Sequence, residues 1–263
     1  MDDFLSCEKS WIGNAYRIFG QTKQHSVIHA QKCEDVFKTV KSNAEAVGMR
    51  VNEKKTKLLC ISPATGTEVS SYIRLNDGTK ITSQPELKQL GFTFSARPTV
   101  DLHLDRTAKK FRARLWFIRH LKKAAVNKDD LLHVYKCFLL PIVDYASVVY
   151  HSLLTKQQAG ELERLQSSAL KIIYGWSDSY SSILQQTGLE SLAERRQRLT
   201  DKFIVKAATN PKFKEAWFPT KTFVHHDLRK EKIYQEFFAK TERLYNAPLY
   251  YYRRRLNEIH TPE

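Results

Sequence analysis

Two adjacent carboxylates, Asp2 and Asp3, precede the apolar pair Phe4 and Leu5 in the sequence. Neighbouring acids of this kind are usually solvated or structural. If the apolar pair begins a strand, both carboxylates sit on the turn of a hairpin, where they can approach a hard divalent cation such as Mg²⁺. A phosphoryl-transfer site needs such a concentration of negative charge to hold its metal ions. The sequence therefore admits a magnesium site at Asp2 and Asp3 beside the plainer interpretation.

Residues 106–123 carry eight basic residues in 18 positions and no acidic one. The basic residues are Arg106, Lys109, Lys110, Arg112, Arg114, Arg119, Lys122 and Lys123. On a helix they surround an apolar stripe and leave a positive face that suits a phosphate backbone. Charge runs are usually solvated helix faces. The absence of a compensating Glu at i+4 favours a nucleic-acid-binding surface here.

The overall charge agrees with a polyanionic partner. The chain has 43 Lys and Arg against 28 Asp and Glu, which gives a formal net charge of +15 and excludes an acidic or neutral class of protein. Nucleic acid is the commonest such partner, because each neutralised phosphate releases counterions. A basic protein that binds no polyanion is the alternative.

A second basic cluster, residues 250–255, places three tyrosines directly before three arginines. Base stacking combined with phosphate contact would use this combination. A packed C-terminal helix would use it equally well. The sequence leaves both interpretations open.

The cysteines and histidines form no recognisable metal or disulfide pattern. The four cysteines are widely separated, and His225 and His226 have no partner at metal-ligand spacing. A reducing compartment is therefore expected. The first residues do not resemble a signal peptide, and the longest apolar run, residues 137–150, is too short to span a bilayer. We expect a soluble, intracellular protein without a membrane partner.

The elements that must position these residues change type near Pro98. Apolar spacing predicts a helix over residues 26–47, capped by Ser26 and ended by Gly48. A strand is expected at 57–61, a hairpin is expected to join 72–75 to 79–82 through Asn76-Asp77-Gly78, and a third strand is expected at 87–94. The first hundred residues are thus predicted to be α+β.

The rest of the chain is predicted to form a helical bundle. One helix is expected around residues 108–121 and a second, apolar almost all round, over 131–150 with an adjustment at Pro141. Capping boxes at Thr155 and Ser191 open two more helices, which run toward Gly175 and about Asn210. The predicted divisions of the chain are residues 1–62, 63–100, 101–180 and 181–263.

Three motifs in the first hundred residues stand in the order found in reverse transcriptases. Residues 1–3, Met-Asp-Asp, are similar to the end of the aromatic-x-Asp-Asp catalytic hairpin of that family. Residues 48–56 have a glycine, an asparagine four positions later, then a lysine and a threonine, and they resemble the next palm motif. Residues 87–92 are similar to the leucine-glycine motif of the hairpin that grips the primer.

The helical region extends this resemblance almost to the end of the chain. Residues 140–146, Leu-Pro-Ile-Val-Asp-Tyr-Ala, resemble the thumb of non-LTR, or LINE-type, retrotransposon reverse transcriptases. Residues 187–196 and 246–257 resemble the C-terminal region of the same polyproteins. Each motif is short, and their order and spacing together make the resemblance specific.

The resemblance implies an α+β chain: a truncated palm with short antiparallel strands and one helix, followed by an all-α helical thumb and a helical tail. In the family, two Mg²⁺ ions are held by the first aspartate of the hairpin and by an aspartate of an earlier strand. Asp2 matches the first, with Asp3 as its neighbour. Lys55 matches a lysine near the leaving pyrophosphate, and the segment Leu90-Gly91-Phe92 would support the primer terminus.

The implied partners are an RNA template and a DNA primer, with deoxynucleotides as the only small-molecule substrates of the intact enzyme. The second magnesium-binding aspartate has no match in these 263 residues. A two-metal site needs carboxylates from both sides, so we expect little or no polymerase activity from this chain alone. A non-catalytic nucleic-acid-binding module and a non-functional relic of an element are the alternatives.

Overall fold

The computed structural model describes residues 24–52, 55–61, 72–74, 78–220 and 232–260. The chain forms two compact units, Met1–Leu102 and His103–Glu263. The described part is mostly helical and contains two antiparallel two-stranded sheets, both in the first unit. The predicted α+β class is confirmed at this level.

Helix α1, Gln24–Ala46, fulfils the prediction for residues 26–47, although it begins before the expected cap Ser26. Its end has the backbone bonds of a Schellman motif, from Gly48 N to Glu45 O and from Met49 N to Ala44 O. Gly48 supplies the required left-handed backbone, with φ +77°.

Two hairpins follow in the first unit. Strand β1, Tyr72–Arg74, pairs with β2, Lys80–Thr82, and confirms the first predicted hairpin; Asn76 and Asp77 of its turn lie outside the described residues. The predicted single strand 87–94 is wrong. Strands β3, Glu86–Gln89, and β4, Phe92–Ser95, pair antiparallel around Leu90 and Gly91, because the positive φ angles at those two residues reverse the chain.

The strand predicted at 57–61 is also wrong for the described residues. Leu58 makes an isolated parallel bridge with Ser83, and the Cys60 amide donates to the Ser83 hydroxyl at 2.9 Å. The segment thus contacts the residues just after β2 at single points, without the continuous ladder that would make it a strand.

The regular secondary structure in the described residues of the second unit is helical, apart from a single bridge between Thr220 and Tyr234. Its longer helices are α2, Asp101–Lys123, which begins two residues before the unit boundary, α6, Lys156–Tyr174, α7, Tyr180–Thr187, α8, Leu192–Thr209, and α11, Pro248–His260. Its shorter helices are α3, Lys128–Val134, α4, Leu140–Asp144, α5, Ser147–Tyr150, α9, Pro211–Trp217, and α10, Glu242–Tyr245.

The apolar segment 131–150 is not the single helix that we predicted. A π-helical turn, Tyr135–Leu139, separates α3 from α4 and absorbs the adjustment expected near Pro141. The chain then breaks before α5, where Ala146 has a left-handed φ of +56°. Among the described residues no single helix is long and apolar enough to cross a membrane; only the bent pair Lys128–Asp144 and Ser147–Leu153 reaches that length and composition, with a 45° angle between its arms.

Both predicted capping boxes are present, and they fix the starts of α6 and α8. Thr155 and Gln158 exchange side-chain and backbone bonds, and Ser191 and Glu194 do the same. Glu163 on α6 adds a second cap to α8, because its carboxylate accepts the amides of Leu192 at 3.2 Å and Ala193 at 2.7 Å. These caps join α6 and α8 around a buried apolar core.

Candidate nucleic-acid interface

One stripe of α2 is buried and determines which of its side chains face solvent. The buried residues recur every three or four positions, as expected for one face of a helix: His103, Leu104, Thr107, Phe111, Leu115 and Ile118. Phe111 and Ile118 are fully buried. Burial and then the charge of Arg106 lower the pKa of His103, so this histidine is neutral near pH 7 and adds no charge to the helix.

Five of the eight predicted cations point to solvent and have no hydrogen-bond or ion-pair partner among the described residues. They are Lys109, Lys110, Arg112, Arg119 and Lys123. No acidic residue lies between positions 106 and 123, so within this stretch no acidic side chain offsets the repulsion between the cations; Asp105, one turn before Lys109, is the nearest acid that precedes them on the helix. An anionic ligand would relieve this repulsion.

The other three cations interact within the protein. Lys122 donates to the carbonyl of Ile172 and, at 3.4 Å, to that of Ile173. Arg114 donates to the Phe138 carbonyl at 3.2 Å, and its guanidinium lies 4.4 Å from the centre of the Phe138 ring. Arg106 is also engaged in an interaction within the protein, so it is not counted among the free cations. Lys122 and Arg114 therefore fasten α2 to its neighbours.

Four of the solvent-facing cations and one aromatic ring form a single line, which we call the basic stripe. It consists of Lys109, Arg112, Trp116, Arg119 and Lys123. Their spacing of three and four residues puts them on one face of α2. At 1.5 Å per residue the stripe is about 21 Å long, which corresponds to about six phosphates of one strand of a duplex. This geometry lets α2 follow a nucleic-acid backbone.

Trp116 is the residue of the stripe that the prediction from charge did not include. Its side chain is 59% exposed, although tryptophan is a large apolar residue. The imidazole of His120 lies on it with ring centroids 3.8 Å apart. The signal was present in the sequence, since Trp116 lies four residues after Arg112 and three before Arg119.

The second basic cluster, residues 250–255, lies on helix α11, and its arginines are engaged by other parts of the fold. Arg253 is buried, and its Nε donates to the Trp217 carbonyl at 2.5 Å. Arg255 forms two bonds of 2.9 Å with the Asp201 carboxylate, and Arg254 donates to the Tyr245 carbonyl at 2.6 Å. The packed-helix interpretation of this cluster is therefore confirmed.

The primer-grip prediction falls on the tip of the β3–β4 hairpin. Leu90 is 86% exposed at that tip, and its φ of +47° is followed by a φ of +83° at Gly91. Phe92 is buried and its ring centroid lies 4.8 Å from that of Phe94. Leu90 and Gly91 are thus accessible to a ligand, whereas the Phe92 side chain supports the hairpin from inside.

Lys55 lies in an exposed turn that Asn52 organises. The Lys55 amide donates to the Asn52 side-chain oxygen at 3.1 Å, and the Thr56 hydroxyl donates to the Asn52 carbonyl at 3.1 Å. The spacing of asparagine, lysine and threonine in this motif therefore has a local cause. The turn fixes the backbone of Lys55 and leaves its ammonium group in solvent.

The predicted magnesium ligands Asp2 and Asp3 lie outside the described residues, as do His225 and His226. Within the ranges that the structure describes, no group of three or more His, Cys, Asp and Glu side chains is arranged to hold a metal ion.

Comparison with protein-family models, with curated proteins and with solved structures gives no match for this chain.

Proposed function

We propose that the chain binds nucleic acid through the solvent-facing cations of α2. The observation that carries this proposal is the set of five cations, Lys109, Lys110, Arg112, Arg119 and Lys123, without partners in the described structure. Cations that were needed only for the fold would be engaged, as Lys122 and Arg114 are. A set of exposed cations without such partners suits a polyanion whose phosphates are evenly spaced.

We further propose that this binding belongs to a LINE-type reverse transcriptase and serves to hold an RNA template and its DNA primer. The support is the order of the sequence motifs together with two local features. The leucine-glycine motif forms a hairpin tip with Leu90 exposed, and the basic helix α2 follows it in the chain. A non-catalytic binding module is the alternative. The two proposals differ in whether the carboxylates Asp2 and Asp3 have a catalytic role.

The binding proposal is tested by salt titration of the affinity for an RNA–DNA hybrid. Five phosphate contacts give a slope of about −4.5 in a plot of log K against log salt. Replacing Lys109, Lys110 and Lys123 by Gln should bring the slope to about −2. The matched control replaces three exposed lysines elsewhere by Gln, Lys202, Lys206 and Lys212, and should leave the slope near that of the native chain. A flat salt response of the native chain, or equal losses in both triple variants, would refute the proposal.

The polymerase assignment has a separate test. Primer extension with Mg²⁺ and deoxynucleotides is measured for the 263-residue chain and for Asp2→Ala. We expect no extension by either protein, since the resemblance assigns only one carboxylate wall of the two-metal site to these residues. Extension that depends on Asp2 would overturn the expected inactivity and would support the polymerase assignment over the binding module.

A further inference from the structure

We propose that Trp116 is a stacking platform for an unpaired base, so that the basic stripe takes single-stranded nucleic acid in preference to a duplex. This inference rests on the proposed function, since it names the form of nucleic acid that the same helix binds. It depends on a different observation, namely an exposed indole in the middle of the cations.

The position of Trp116 on α2 puts it where a ligand backbone would run. Arg112 lies one turn before it and Arg119 one turn after it on the same face, and both are exposed. Trp116 is 59% exposed, so a large part of its apolar surface is in contact with water. Stacking against a base would remove that area from water while the flanking cations neutralise phosphates.

Within the described part of the chain, the ring contact of Trp116 is made on one face of the indole. His120 occupies it, with ring centroids 3.8 Å apart and planes at 38°. The imidazole is itself held in place, since its Nδ1 lies 3.1 Å from the Trp116 carbonyl oxygen and must carry the proton to donate there. His120 therefore braces the indole against the helix and leaves the opposite face open.

Trp176 is another exposed indole, and its surroundings differ from those of Trp116. Its side chain is 73% exposed, but the ammonium of Lys171 lies 5.6 Å from its ring centre. In the described structure no cation lies over the ring of Trp116, although Arg112 and Arg119 flank it on the helix. Both flanking arginines are exposed and without a partner in the described residues, so they can contact phosphates while a base lies on the ring.

The platform distinguishes nucleic-acid forms because a base in a duplex is already stacked on both sides. An unpaired base can leave its neighbours and lie on the indole, and every base has a π face, so sequence preference should be weak. A duplex would engage only the cations. The segment we expect on the stripe is therefore an unpaired stretch of RNA or DNA.

The experiment measures binding of a single-stranded oligouridylate of about 12 nucleotides, within the range of known site sizes. Trp116→Ala should weaken this binding by about 5- to 150-fold, whereas Trp116→Phe, which keeps an aromatic ring, should retain most of it. Trp176→Ala is the matched control and should bind as the native chain does. A second ligand, an abasic deoxyribose-phosphate oligomer of the same length, should bind all of these variants equally.

Fluorescence gives an independent measure of contact with the indole. Binding of the oligouridylate should quench tryptophan emission, and this quenching should be lost in Trp116→Phe and kept in Trp176→Phe. If Trp116→Ala binds the oligouridylate as tightly as the native chain with the salt dependence intact, the platform is refuted while the electrostatic proposal stands. If the native chain shows no salt-dependent binding to any of these ligands, the proposed function itself fails.

Discussion

Lys122 and Lys123 are adjacent in the sequence, and the structure predicts opposite consequences for their replacement by methionine. Lys122 donates to the carbonyls of Ile172 and Ile173 at the end of α6. Lys123 is exposed and has no partner in the described part of the chain. Methionine keeps an unbranched apolar stem and a similar helix propensity at both positions, so the comparison isolates the ammonium group.

The change in the free energy of unfolding expected for Lys122→Met follows from the hydrogen bonds that the Lys122 ammonium donates. The last four carbonyls of a helix have no partner within the helix, and Ile172 and Ile173 are two of these four in α6. A hydrogen bond to a charged group contributes about 1.5–3 kcal/mol, and favourable placement at the negative end of a helix adds about 0.3–1 kcal/mol. Fixing the lysine side chain costs up to about 2 kcal/mol of this. The free energy of unfolding should therefore fall by about 1–2 kcal/mol.

Lys123→Met should change stability by less than about 0.5 kcal/mol, as surface substitutions usually do. The main effect of Lys123→Met should be on nucleic-acid binding. Removing one phosphate contact lowers the salt slope for an RNA–DNA hybrid by about 0.9, whereas Lys122→Met should change this slope less, because its ammonium is directed to the carbonyls of α6.

Two assays on both variants separate the effects. Urea unfolding measures stability, and a loss of 1–2 kcal/mol should appear in a melting experiment as a decrease of about 2–8 °C. Salt titration of hybrid binding measures the charge that faces the ligand. Two results would contradict this prediction: Lys122→Met is as stable as the native chain, or both variants decrease the salt slope by the same amount. In either case the cations of α2 would not divide into those that hold the fold together and those that contact a ligand.

Three further results are expected from strained or buried groups. Ala125 has a φ of +58° after α2, where α1 and α7 end with glycine, so Ala125→Gly should raise the free energy of unfolding by about 1 kcal/mol in urea titrations. Leu90 has a φ of +47° in the β3–β4 turn, and Leu90→Asn should raise that free energy by about 0.5–1 kcal/mol, because asparagine tolerates this conformation; a loss would contradict the turn geometry. Burial, assisted by nearby arginines, lowers the pKa of His103 and His151 below the ordinary 6.5, so the unfolded chain takes up protons that the folded chain does not. Stability should therefore decline as the pH falls below about 6.5, and replacing both histidines by Gln should flatten that decline.

Features that depend on neighbouring residues in the sequence could be predicted. The capping boxes at Thr155 and Ser191 are formed within four residues, and both are present as expected. The helix end at Gly48 and the first hairpin are equally local, since each needs only a residue that tolerates positive φ at a defined place.

Features that depend on partners far away in the sequence could not be predicted. The segment 131–150 is apolar almost all round, so its pattern gives no sign of the break at Ala146. In the structure the Tyr150 hydroxyl donates to the Val143 carbonyl across that break, and the Tyr252 hydroxyl donates to the Val148 carbonyl from α11 at 2.7 Å. The second of these partners comes from the far end of the chain, where no window of local sequence would reveal it.

The same limit applies to the candidate site. Charge counting identified α2 as basic but could not divide its cations, because the partner of Lys122 is 50 residues away. It also left residues 250–255 open between a binding surface and a packed helix, and all three arginines of that cluster have partners within the fold. A count of charges gives the number of cations in a segment. Ligand binding depends on how many of those cations have no hydrogen-bond or ion-pair partner within the fold.

The difference between cations that have partners in the fold and cations that have none also helps to explain the net charge of +15. If the excess served only solubility, free cations would be scattered and the exposed aromatic residues would be unrelated to them. In α2 four of the five free cations instead align with Trp116 over about 21 Å of helix, while the buried arginine of α11 is paired with a backbone carbonyl and an aromatic ring. The arginines of one basic cluster are thus engaged by packing, whereas most cations of the other cluster have no partner in the described structure, and this contrast is the physical basis for our proposal that α2 binds a polyanion.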